Sequence, residues 1–151
     1  MKNDQYLFPL NILLADDDPE YRIFFDRALS EIPITTELSK LKNGYQLMKY
    51  LDENTGRLPD ILFLDLSMPY KTGFECLSEI KENEKLKALT VVMLTASFTR
   101  GTELEDYLKN TLSRMGAQDY IRKTGNLDEL KTIIQQTLTG LVKSRLKTTI
   151  S

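Results

Sequence analysis

Short apolar runs alternate along the chain with stretches in which apolar residues recur every three or four positions. Ile12-Leu13-Leu14-Ala15 and Ile61-Leu62-Phe63-Leu64 contain no polar residue, are too short for buried helices and stop at acidic residues. Such runs read as parallel strands covered on both faces. Five strands are expected, at Leu10–Ala15, Ile34–Lys40, Asp60–Leu64, Thr90–Leu94 and Gln118–Arg122. The first helix is the best marked. Asp18 is placed to cap it, Pro19 suits its first position, and Tyr21, Phe24, Phe25, Ala28, Leu29 and Ile32 form one apolar stripe. Further stripes at Leu47, Tyr50 and Leu51, at Phe74, Leu77 and Ile80, at Leu104, Tyr107, Leu108 and Leu112, and from Leu127 to Leu141 are read as core-facing. Turn signals fall between the elements: Asn43-Gly44, Pro59, Met68-Pro69 and Gly73. Strand and helix alternating in this way predict an α/β domain, a parallel sheet built from five βα units.

At 151 residues the chain fits one domain with a substantial core, expected over about residues 8–140 and followed by a short basic tail at Lys143, Arg145 and Lys147. That tail reads as a solvated helix end. The formal charge of −2, with both signs spread along the chain, gives no reason to expect nucleic acid. No segment has the length and apolarity of a signal peptide or membrane span, so a cytoplasmic protein with no membrane partner is expected. The lone Cys76 lies among Phe74, Leu77 and Ile80 and reads as core. The absence of histidine constrains more, because it removes Ser-His-Asp triads, Cys-His pairs and imidazole metal ligands together. Any chemistry must run on carboxylates, hydroxyls and lysine.

Parallel strands put their carboxyl ends on one edge of the sheet, where ligands of open α/β sheets bind. Asp16 and Asp17 follow the first strand and Asp65 follows the third. Three carboxylates there form half a shell for Mg²⁺, which prefers oxygen donors and is usually shared with a phosphate. Two such charges ~4 Å apart repel by roughly 4 kcal/mol at an effective dielectric of 20. At least one pKa should therefore rise, and a divalent cation would turn the repulsion into attraction. Phosphoryl transfer also needs a hydroxyl donor and a further cation at the equatorial oxygens. Thr95, followed by the small Ala96, ends the fourth strand, and Lys123 lies just past the fifth. Each residue taken singly is ordinary; the combination at four carboxyl ends is specific.

In these segments the chain resembles the response-regulator receiver domains of two-component signalling. They are Ile12 to Pro19, Asp60 to Pro69 running on to Gly73, Val92-Met93-Leu94-Thr95-Ala96, and Gly116 to Lys123. The resemblance implies a doubly wound, flavodoxin-like (βα)5 fold with strand order 2-1-3-4-5. It implies that Asp65 accepts a phosphoryl group from a partner histidine kinase or histidine phosphotransfer protein. By the same likeness Asp16, Asp17, Asp65 and the backbone carbonyl of Ser67 hold Mg²⁺. Thr95, Lys123 and the backbone of Ala96 contact the phosphoryl oxygens, and Thr95 with Tyr120 forms the switch. The output is expected through a downstream protein docking on the fourth helix, fifth strand and fifth helix, with a second copy of the chain a further candidate partner. The fold consumes nearly the whole chain, so no DNA-binding or catalytic output domain is expected, and the protein is expected to be no enzyme beyond catalysing its own phosphorylation and dephosphorylation.

Two features depart from the family pattern. Thr124 stands where a proline usually follows the lysine, which predicts a less rigid loop. The segment between Thr95 and Lys123 is longer than usual by about six residues, within Phe98 to Met115, and should lengthen the fourth helix or its leading loop. Two other readings remain open. A Mg²⁺-dependent phosphohydrolase of haloacid dehalogenase type also uses an Asp, a Thr and a Lys on a parallel sheet, but Asp16-Asp17-Asp18-Pro19 lacks the hydroxyl or valine of that motif. A phosphorylation-independent scaffold is disfavoured because every site residue is present.

Overall fold

The computed structural model describes residues 9–54, 56–96 and 102–150, the last four as backbone only. Five strands and five helices alternate: β1 (Leu10–Ala15), α1 (Pro19–Ser30), β2 (Thr36–Leu41), α2 (Gly44–Glu53), β3 (Ile61–Asp65), α3 (Gly73–Glu82), β4 (Val91–Thr95), α4 (Glu103–Arg114), β5 (Asp119–Arg122) and α5 (Leu127–Ile150). All strand pairs are parallel, in the order β2-β1-β3-β4-β5. β1, β3 and β4 are therefore interior, which is why they read as continuous apolar runs rather than as alternating ones.

Alternation persists in which face each residue serves. Ile12, Leu14, Ile61, Phe63, Val92 and Leu94 pack under α1 and α5, whereas Leu13, Ala15, Leu62, Leu64, Val91 and Met93 pack under α2, α3 and α4. Phe25 of α1 meets Phe63 edge to face at 5.0 Å between ring centroids, which pins α1 to the centre of the sheet. Burying Leu62, Phe63 and Leu64 stabilises β3 by about 2 kcal/mol each. That is enough to hold a carboxylate at the strand's end in a position where water would otherwise be preferred.

Helix starts follow their caps. Asp18 accepts from the Glu20 N–H at 3.0 Å with Pro19 behind it, Asn43 accepts from Gln46 N–H, and Thr72 and Glu75 form a reciprocal capping box on α3. Asp18 is thus a cap, as its position before Pro19 implies.

Several expectations need correction. β3 and β4 each run one residue further than the apolar pattern, to Asp65 and Thr95. The ladder continues through Leu66 N–H to the Leu94 carbonyl (2.9 Å) and Lys123 N–H to the Thr95 carbonyl (2.8 Å). β2 starts at Thr36 rather than at Ile34. On α4, Leu104 and Tyr107 are 60% and 66% exposed, so only Leu108 and Leu112 of that stripe reach the core. The reason is that α4 packs by one narrow edge, its buried positions being Glu105, Leu108 and Leu112. Arg145 is not merely a solvated helix end, since it reaches Asp60 Oδ1 at 2.6 Å and ties α5 to the loop before β3. Of the segment expected to be elongated, residues 98–101 lie outside the described residues, and α4 itself has 12 residues. Cys76 is buried, and burial pushes its thiol up to about 11, in keeping with a packing role.

Candidate functional site

β1 and β3 are adjacent, so the chain leaving β1 carries Asp16 and Asp17 to the place where β3 ends at Asp65. The three carboxylates lie with oxygen atoms within 4.8 Å of one another; Asp16 and Asp65 are buried and Asp17 is exposed. Asp16 is fixed from several sides. Its Oδ1 accepts from Asp18 N–H (2.9 Å), its own N–H donates to the Leu41 carbonyl (3.0 Å), and its carbonyl accepts from the Arg22 guanidinium (2.7 Å).

Lys123 reaches this pocket from the end of β5. Its ammonium lies 2.7 Å from Asp16 Oδ2 and 3.5 Å from Asp65 Oδ1, and 4.5 Å above the centroid of the Tyr21 ring. The Asp16 contact is an ion pair rather than a directed hydrogen bond, because Oδ2 has no aligned donor among the described residues. The Lys123 side chain is 14% exposed, so the pair is held largely out of water and screened little by salt.

Asp65 titrates far from its ordinary range. Burial first, and the Asp16 charge second, push its pKa up to about 7 from 3.8, against the lowering effects of Lys123 and of the Ser67 backbone N–H bonded to it. The like-charge rise expected from sequence is present, but desolvation leads it. One ammonium does not neutralise three carboxylates, and hard oxygen donors on one side of a pocket fit a divalent cation with room for water and a further ligand.

Thr95 is buried at the end of β4, beside β3, which ends at Asp65. It also pairs in register with Arg122 of β5, which puts it one residue from Lys123. Its side chain lies against the buried Tyr120 hydroxyl. Burial and the Glu105 charge raise the Tyr120 phenol. Ala96 follows directly on Thr95, and Ser67 lies in the loop after Asp65. Asp16, Asp17, Asp65 and Lys123 thus meet in one pocket, and Thr95 links it to Tyr120.

Three contributors escape a sequence reading. Tyr21 is counted into an apolar stripe although it also carries Lys123 on its ring face. Arg22 holds the Asp16 backbone. Glu105, 2% exposed, receives Arg122 Nη2 at 2.5 Å and so binds α4 to β5 next to Tyr120. Only Tyr21 had a usable signal, its place one turn after Asp17.

Comparison with known proteins gives a consistent result. The family model described as the response regulator receiver domain matches residues 12–135. The response regulator Rcp1 of Synechocystis sp. is 33% identical over 132 residues, covering 84% of this chain and 85% of Rcp1. A probable methanogenesis regulatory protein, FilR2 of Methanothrix harundinacea, is 32% identical over 131 residues, covering 85% of this chain and 81% of FilR2. Among solved structures, the Mn²⁺-bound form of Rcp1 superposes with a TM-score of 0.70 at 31% identity, covering 85% of this chain and 91% of that one. The phosphorylated cyanobacterial phytochrome response regulator RcpA gives 0.75 at 27% identity, covering 91% and 96%.

Proposed function

We propose, from the premise that the chain belongs to the response regulator receiver domain family, that Asp65 is its phosphoryl acceptor and that phosphorylation there changes which protein surfaces it binds. The observation that carries the reading is Lys123, an ammonium bridging the Asp16 and Asp65 carboxylates at 2.7 and 3.5 Å within a largely dry pocket.

The donor is a phosphohistidine on a histidine kinase or a phosphotransfer protein, because this chain has no histidine of its own. A carboxylate oxygen of Asp65 forms a bond to phosphorus as the nitrogen–phosphorus bond of the donor breaks, and the released imidazole takes a proton from solvent. Asp65 must be ionised to attack. The buried geometry alone opposes that, since it leaves the carboxyl half protonated near neutrality. Asp16, Asp17 and Asp65, with the Ser67 carbonyl, would hold Mg²⁺; bound there, it supplies the positive charge that ionises Asp65 and offsets the phosphoryl oxygens. Manganese in Rcp1 supports a divalent site in that relative. Lys123, Thr95 and the Ala96 backbone would contact the transferred group, which carries more negative charge than the carboxylate it replaces. Drawing Thr95 toward it changes the packing beside Tyr120, and Tyr120 relays the change to α4 and β5.

Among the described residues no helix is long and apolar enough to cross a membrane; with the fold, this supports a cytoplasmic location. The exposed Leu104 and Tyr107 of α4 are apolar surface for a downstream protein or a second copy. The test is incubation with Mg²⁺ and acetyl phosphate followed by intact-mass measurement. Wild type should gain one phosphoryl group, and Asp65→Ala and protein kept in chelator should gain none. Equal labelling of Asp65→Ala would remove Asp65 from this role.

A further inference from the structure

Tyr21 lies on the first turn of α1, four residues after Asp17, and is only 7% exposed. Its ring contacts Phe24 and Phe25, at 6.3 and 6.2 Å between centroids, contacts that a phenylalanine would make equally well. The hydroxyl is therefore the part that packing does not explain. It has no access to solvent and no hydrogen-bond partner among the described residues. A buried hydroxyl left in that state is destabilising, and such a group in a native structure calls for an explanation, a functional role or a bound ion among them. Its surroundings are those of the acidic pocket. Lys123 Nζ sits 4.5 Å above the same ring while touching Asp16 and Asp65. Burial, then Asp16 and Asp65, push the phenol well above its ordinary range, which favours the protonated, donating form.

We propose that Tyr21 is a phosphoryl-contacting residue of this site, its hydroxyl donating to an oxygen of the group carried by Asp65 while its ring face holds the Lys123 ammonium over the pocket. The inference rests on the reading of Asp65 as acceptor. The unmodified protein presents a neutral donor with no partner among the described residues; the phosphoryl group brings in acceptor oxygens of higher charge, so the contact forms in the modified state. A donor of that kind shifts the balance toward the phosphorylated form without adding affinity for the empty one. The ring adds a second effect. A cation held over an aromatic face keeps its charge directed and partly dry, so Lys123 needs little rearrangement when phosphorus arrives.

The experiment compares wild type, Tyr21→Phe and Tyr21→Leu. Beryllium fluoride with Mg²⁺ serves as a stable phosphoryl mimic, and acetyl phosphate with intact-mass detection gives the rates of gain and loss. Tyr21→Phe should bind beryllium fluoride about tenfold more weakly, the order expected for one hydrogen bond to a charged group, with Mg²⁺ affinity within about twofold of wild type. It should lose its phosphoryl group at a rate changed at least about threefold. Tyr21→Leu, which also removes the ring beneath Lys123, should in addition slow phosphorylation. In thermal melts the unmodified Tyr21→Phe protein should be no less stable than wild type, and the mimic should raise its midpoint by less than it raises that of wild type. A purely structural hydroxyl would lower both states alike. Identical mimic affinity and phosphoryl lifetime in wild type and Tyr21→Phe would overturn the proposal, as would loss of the folded state on that substitution. Should wild type itself take up neither phosphoryl group nor mimic, the reading of Asp65 fails and the inference falls with it.

Discussion

Asp65 is the residue at which packing and chemistry are in open conflict. It ends a strand whose other four side chains are fully buried, and its carboxyl pKa is pushed up to about 7 by that burial and by Asp16. An acid whose folded pKa lies above its unfolded value binds more protons folded than unfolded between the two. The stability that Asp65 contributes is therefore greatest below about 4 and falls as the pH rises toward 7, by an amount of the order of a few kcal/mol. The urea midpoint of the metal-free wild type should fall relative to that of Asp65→Asn across that window; a difference between the two that stays constant from about pH 4.5 to 7 would count against the shift. The same proton competes with a cation. Mg²⁺ affinity measured by calorimetry should be about tenfold weaker at pH 6 than at pH 8, with close to one proton released per ion at the lower pH. Tyr70, in the loop after Asp65, carries a second local conflict, since its φ of 68° lies in the left-handed region that a bulky residue seldom adopts. With that ring 82% exposed, Tyr70→Gly should relieve about 1 kcal/mol of backbone cost with little packing loss, read as a higher urea midpoint.

The elements differ in how strictly they set the pocket. α3 is anchored through Gly73, where a Cβ would lie 2.3 Å from the Asp65 carbonyl oxygen and 2.8 Å from Leu66 Cα, and Gly73 N–H bonds the Leu66 carbonyl at 3.0 Å. The obstructing atoms are backbone, so Gly73→Ala must move either α3 or the end of β3. We expect a loss of about 2–3 kcal/mol in stability together with slowed phosphorylation by acetyl phosphate, whereas a normal rate would show that the pocket is independent of α3. α4 is held differently, through the buried Glu105 and its Arg122 partner on β5. Removing one member of such a pair takes away the main counter-charge of a buried group, and because Arg122 is 22% exposed the loss for Arg122→Ala should be about 2 kcal/mol, below that of a fully enclosed pair. The contrast explains what the sequence made legible. Gly73, Asp18, Pro19 and Asn43 announce helix starts through local chemistry that needs no tertiary context. The apolar runs of β1, β3 and β4 announce burial on both faces. Leu104 and Tyr107 misled because helical period identifies one face of α4 without saying how wide a part of that face is covered. Glu105 was hidden for the complementary reason, since a glutamate reads as solvated until the arginine 17 residues on is brought against it.

At the scale of the whole molecule the sheet divides two packed layers, α1 and α5 on one side and α2, α3 and α4 on the other, and the pocket lies at its carboxyl edge. Lys123 belongs to that edge by its side chain and to β4 by its backbone bond to Thr95, so movement at either end of that short link is felt at the other. Tyr120, one residue from Ile121 in the α1/α5 core, packs instead with the α2/α3/α4 layer and puts its hydroxyl against Thr95 and Glu105. The hydroxyl is already turned inward, against Thr95 and Glu105, in the unmodified protein. The unmodified protein should then exchange between at least two arrangements of Tyr120 and the start of α4. Converting a 1:99 mixture into 99:1 needs roughly 5.5 kcal/mol of difference between the states. The new charge on Asp65 acting on Lys123 and Thr95 is the source within reach, because charge-assisted hydrogen bonds contribute about 1.5–3 kcal/mol each. Relaxation-dispersion NMR of the Mg²⁺-bound, unmodified protein should show microsecond-to-millisecond exchange at Thr95, Glu105 and Tyr120, with the excited-state shifts moving toward those of the beryllium fluoride form. Quiescent signals at these residues before modification, followed by large changes after it, would mean that the active arrangement is created by phosphorylation and not drawn from an existing population.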